Sequence, residues 1–63
     1  MNKFETTIPA VLTVEELAKV LKIGMNSAYN LVRSGTIPCF HVGRQIRISR
    51  DALLEYIHKA EHQ

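Results

Sequence analysis

A single cysteine, Cys39, stands in the 63-residue chain. No internal disulfide can form, so a reducing, cytoplasmic setting is expected rather than secretion. No apolar run approaches the roughly 18 residues of a membrane span, and the N-terminus lacks the apolar core of a signal peptide. Repeats, low-complexity tracts and Cys-x-x-Cys pairs are also missing. The most informative gap is one of charge: residues 25–50 contain no aspartate or glutamate. These absences argue against membrane and secreted classes and leave a soluble domain whose middle is positively charged.

Apolar residues make up 46% of the chain, enough for a packed core and against disorder. Sixty-three residues make one small domain, near the lower limit at which a core suffices without staples. The net charge of +2 says little, but its distribution says more. Residues 1–24 balance three acids against three lysines, whereas residues 25–50 carry Arg33, Arg44, Arg47 and Arg50 unopposed. Residues 51–63 carry Asp51, Glu55 and Glu61 against Lys59. Positive charge gathered on one stretch is the footprint of a nucleic-acid binder.

Thr13 to Gly35 organises the rest. Thr13 followed by Glu16 is a capping box, each side chain able to satisfy the other's backbone N–H. Leu17 and Leu21, with Ala18 beside them, form a narrow apolar face at helical spacing. Lys22-Ile23-Gly24 interrupts it, and glycine suits such a boundary because it has no Cβ to penalise left-handed dihedrals. Ala28, Leu31 and Val32 then form a second face at i, i+3, i+4, and Gly35 is a C-terminal stop. Helices this short must pack on each other, and Ala18 is small enough to let two backbones cross closely. The spacing is that of a helix-turn-helix. The outward set on the second helix is Met25, Asn26, Ser27, Tyr29, Asn30 and Arg33. Its two asparagines, serine, tyrosine and arginine are side chains that hydrogen-bond base edges and phosphates, while Met25 is a helix-start contact of open purpose.

The flanks complete the layout. Residues 1–10 read as a flexible N-terminal arm with Pro9 in it, and 11–63 as one domain, with Val11-Leu12 offering a staple under the first helix. Thr36-Ile37-Pro38 is a connector, its isoleucine anchored in the core and held extended by the proline. CFHVGRQIRIS alternates around Gly43 as a hairpin does. Uniting Phe40 and Val42 with Ile46 and Ile48 on one face requires an odd loop, Gly43-Arg44-Gln45, pairing Val42 with Ile46. Cys39, His41 and Arg47 would then share the solvent face, with Arg44 and Gln45 at the tip. Ser49 is a helix N-cap with Asp51 in the first turn. A closing helix over about Arg50 to Ala60 would bury Ala52, Leu53, Tyr56, Ile57 and Ala60. The order is helix, turn, helix, hairpin, helix: an α+β fold, a small winged helix-turn-helix whose basic hairpin reaches phosphates or a minor groove.

The string from Leu12 to Ile57 resembles the small excisionase and MerR-like winged-helix domains of phages, integrative elements and bacterial regulators. The resemblance rests on Leu12-Thr13 with Glu15-Glu16 and Ala18, Ser27-Ala28-Tyr29, Arg33-Ser34-Gly35 with Ile37-Pro38, Val42-Gly43-Arg44, Arg47-Ile48 and Leu53 to Ile57. It implies a DNA-binding module with Asn26, Ser27, Tyr29, Asn30 and Arg33 in the major groove and Arg44 and Arg47 on the adjacent backbone or minor groove. His41 and Gln45 complete the wing's candidate contacts. Such domains often begin the second helix with serine or threonine, where this chain has Gly24. Full MerR regulators continue into a dimerising helix and a ligand domain, so no small-molecule effector is expected here. The implied function is an accessory factor of excisionase type that binds and bends DNA to direct site-specific recombination of a mobile element. The implied partners are double-stranded DNA, an integrase or other recombinase and further copies of the chain. A small phage or mobile-element transcription regulator is the alternative within the class, and a protein-interaction module the alternative outside it.

Chemistry is not expected. His58 and His62 lie at i, i+4, and Cys39 and His41 could add ligands, but no closed four-ligand set supports a metal site. Cys39 with His41 could imitate a nucleophile and base, but no pocket-forming chain surrounds them. The reading is therefore no enzyme, no cofactor and no metal.

Overall fold

The computed structural model describes residues 8–62. The expected flexible arm lies outside the described residues from 1 to 7. Ile8 at its end is buried in the core. In chain order come β1 (Val11–Leu12), α1 (Val14–Leu21), α2 (Met25–Arg33), β2 (Phe40–Val42), β3 (Gln45–Ser49) and α3 (Arg50–Glu61). The strands form an antiparallel sheet in the order β1-β3-β2. Three helices on a small sheet make the α+β winged helix-turn-helix that the pattern of residues implied.

The capping box at α1 is formed in full. The Thr13 N–H donates to Glu16 Oε1 at 2.9 Å, and the Glu16 N–H donates to Thr13 Oγ1 at 3.1 Å. Leu17 and Ala18 are buried and Leu21 is half-buried against them. The turn that follows is not made as its glycine suggests. Lys22, at φ 57, takes the left-handed conformation, while Gly24 sits at an ordinary φ of −72 as the N-cap of α2. The Lys22 N–H donates to Lys19 O and the Ile23 N–H to Ala18 O, a Schellman closure that satisfies the last carbonyls of α1. Gly35 does act as the stop for α2, at φ 81.

The hairpin departs from expectation. Val42 pairs with Gln45, His41 with Ile46 and Phe40 with Arg47, so the loop has two residues, Gly43-Arg44. Gly43 has φ 63 and Arg44 has none of its left-handed character, the glycine-first pattern of a type II′ turn. Paired residues share a face, so Phe40 and Val42 stand with Arg47 and Gln45. His41 pairs with Ile46 on the other face, where it stays exposed, and does not share a face with Arg47. The apolar residues of β2 are thus exposed while Ile48 is fully buried and Ile46 half-buried.

Val11-Leu12 is a strand rather than a staple, pairing with Ser49 and Ile48. Arg50 fixes this edge: its backbone N–H donates to Ala10 O at 2.9 Å and its guanidinium to Ile8 O at 3.0 Å. Ser49 caps α3 through the Ala52 N–H at 3.0 Å. Along α3, Leu53 is fully buried and Ala52, Tyr56 and Ile57 are half-buried, but Ala60 is exposed because the core ends before the last turn. Leu12, Leu17, Ile37, Ile48 and Leu53, from β1, α1, the connector, β3 and α3, are the largest fully buried side chains, and α2 adds Ala28 and Val32.

Candidate nucleic-acid interface

α2 owes its orientation to three apolar residues. Ala28 and Val32 are buried and Leu31 half-buried, which turns the opposite side of the helix to solvent. Asn26, Asn30 and Arg33 occupy that outward side, and all are exposed. Ser27 is exposed on the flank next to Leu31. Met25 and Tyr29 lie on the other flank, toward the wing. The Arg33 guanidinium rests over the Tyr29 ring, 5.2 Å from its centroid, a cation–π contact at i, i+4. No acid occupies the first turn of α2, and Gly24 supplies no side-chain cap.

Between the start of α2 and the wing runs a cleft of about 380 Å³. Met25 and Tyr29 line one wall, and Arg44, Gln45 and Arg47 line the other. Thr13 and Glu15 at the head of α1 form its end. α2 and the arginine-bearing hairpin therefore stand side by side across one groove. Arg47 is partly held in place, donating from Nη1 to Ile46 O at 2.9 Å and from Nη2 to Gln45 Oε1. Arg44 sits exposed in the turn.

Of the residues singled out in the sequence, Tyr29, Arg44, Gln45 and Arg47 meet in this cleft, and Asn26, Asn30 and Arg33 continue the surface along α2. Ser27 stands apart on the far flank, and His41 lies on the opposite face of the hairpin from Gln45 and Arg47. Met25, whose purpose the sequence left open, lines the cleft. Glu15, in the first turn of α1, also lines the cleft, a placement that no spacing in the sequence signals. Arg50 is spent on the N-terminal segment.

Among the described residues no group of three or more His, Cys, Asp or Glu side chains is placed to hold a metal. His58 and His62 are instead in edge contact, ring centroids 4.5 Å apart. No helix among the described residues is long and apolar enough to cross a membrane.

Residues 11–61 match the model of a family described as "Helix-turn-helix domain". A probable excisionase of Saccharopolyspora erythraea is 48% identical over 46 residues, 73% of this chain and 47% of that one. An uncharacterized protein, YvgK, of Bacillus subtilis (strain 168) is 39% identical over 44 residues, 70% of this chain and 14% of that one. The chain thus spans less than half the length of either relative. No solved structure matches it.

Proposed function

We propose, for a chain that belongs to the helix-turn-helix domain family and resembles a probable excisionase across most of its length, that it is a DNA-binding accessory factor of excisionase type. It would act by position and not by a chemical step. Bound beside a recombination site, it would bend the duplex so that a recombinase runs excision of a mobile element. α2 would enter the major groove, where Asn26, Asn30 and Arg33 face base edges: amides suit adenine and a guanidinium suits guanine. The wing would lie on the neighbouring backbone, with Arg44 and Arg47 on phosphates.

The observation that carries this reading is the shared cleft. Tyr29 and Met25 of α2 face Arg44, Gln45 and Arg47 of the wing across it, so both parts can touch one duplex at once. A single module of this kind buries only about 600–1,000 Å² of protein surface. Useful specificity would then come from adjacent copies or from a recombinase, both of which we place among its partners.

Fluorescence anisotropy of a labelled duplex across a series of salt concentrations tests the reading. Arg33, Arg44 and Arg47 set against the duplex predict that log K falls with log salt at a slope of about −2 to −3. A flat dependence, or no binding at low salt, would instead support a protein-interaction module.

A further inference from the structure

Resting on the function just proposed, we infer that Met25, the first residue of α2, is a specificity-determining residue: its side chain meets the C5-methyl group of a thymine. Met25 is 41% exposed. The exposed residues that follow it on α2, Asn26, Ser27, Asn30 and Arg33, all carry hydrogen-bonding groups. Met25 has no donor and only a weakly accepting sulfur. Packing does not account for it. Leu21, Ile23, Tyr29 and Leu31 lean on the core as partly buried side chains, and Met25 does not join them. Nor does it cap α2, whose N-cap is Gly24.

Position and chemistry together select the ligand. Met25 shares a wall of the cleft with Tyr29, and it follows a glycine at which an added Cβ would meet nothing within 4 Å. The entrance to α2 is therefore open, so the start of the helix can come close to a duplex. The N-terminal residues of a recognition helix are those that contact base edges. Those edges present donors and acceptors in the major groove, and the C5-methyl of thymine is the apolar group among them. An unbranched thioether side chain adapts to where that methyl lies. Asn26 stands next in the chain, and its amide suits adenine. The two residues together favour A·T pairs, one through hydrogen bonds and the other through a methyl contact.

Deoxyuridine isolates this contact, because it pairs as thymine does and lacks only the methyl group. Duplexes that wild type selects from a random-sequence pool serve as probe, labelled with fluorescein and titrated by anisotropy. The selected site is expected to hold a fixed thymine whose replacement by deoxyuridine weakens wild-type binding about three- to fourfold, the effect of one buried methyl group. Met25→Ala is expected to bind the thymine and deoxyuridine duplexes equally, with the wild-type melting temperature. Met25→Leu keeps an apolar side chain of similar volume and is expected to retain the difference. The salt slope should be the same in all three proteins, since contact with a methyl group releases no counterions.

A selected site without a fixed thymine, or deoxyuridine accepted at every thymine, overturns the inference and leaves the proposed function standing. So does a sensitivity to deoxyuridine that persists in Met25→Ala, which would assign the methyl to another side chain. Equal loss of affinity for all sequences in Met25→Ala overturns it too, placing the side chain on the sugars of the backbone. Failure of wild type to bind any duplex removes the proposed function, and this contact with it.

Discussion

In the proposed reading base recognition turns on Arg33, whose guanidinium lies over the Tyr29 ring. The ring beneath the guanidinium removes some of the freedom a long side chain must lose on binding. Arg33→Ala should therefore relax base preference, lowering the affinity ratio between a selected site and random duplex. Arg44→Ala should weaken all sequences alike and reduce the salt slope by about one. Competition titrations distinguish the two, and equal, sequence-blind losses would remove Arg33 as a reader. Tyr29→Phe should retain the preference because the ring is kept, while Tyr29→Leu should lose part of it. Glu15 brings a carboxylate to the end of the cleft. Glu15→Gln should tighten DNA binding about two- to threefold at low salt, an effect that fades as screening rises.

At the scale of elements, stability rests on short-range devices that each have a test. Thr13→Ala breaks one half of the capping box and should cost about 1 kcal/mol, a fall in melting temperature of about 4–8 °C for a domain of this size. Gly43→Ala forces a side chain into a left-handed position and should cost about 1–2 kcal/mol, loosening the wing first. Amide exchange along β2 and β3 would show it. Gly24→Ser should be tolerated, because a Cβ there meets nothing within 4 Å and its φ is ordinary. The capping box, the stop at Gly35 and the cap at Ser49 were legible in the sequence because partners three residues apart or fewer decide them. β1 was not legible, since Val11-Leu12 becomes a strand only by pairing with Ile48 and Ser49 far along the chain. The hairpin register was misread for a related reason. Burying Phe40 and Val42 with Ile46 and Ile48 looked like the best use of apolar area, but the dihedral of Gly43 decided the pairing. Lys22 carries the left-handed turn that composition assigned to Gly24, and the Schellman bonds of Lys22 and Ile23 offset its strain.

The whole molecule has one small core. Among the described residues ten buried apolar side chains hold it together, and none that is buried is polar or charged. Leu53 joins α3 to that core, and Leu53→Ala should cost about 2–5 kcal/mol. A domain of this size has little more than that to lose, so the variant should be largely unfolded by circular dichroism at 37 °C. The electrostatic layout also works at this scale, with four arginines between residues 25 and 50 and net negative charge after residue 50. The outward placement of Asn26, Asn30 and Arg33 on α2 was legible from helical spacing alone. The partnership of α2 with the wing was implied by the family resemblance and not by spacing, because it depends on how β3 packs against α1 and brings Arg44 and Arg47 alongside Met25 and Tyr29. That partnership is the central claim, and backbone amide shifts on adding duplex DNA test it most directly. Perturbations are expected at Met25 to Arg33 and at Phe40 to Arg47 together, with the exposed side of α3 unmoved. Perturbation of α2 without the wing, or a response centred on α3, would contradict it.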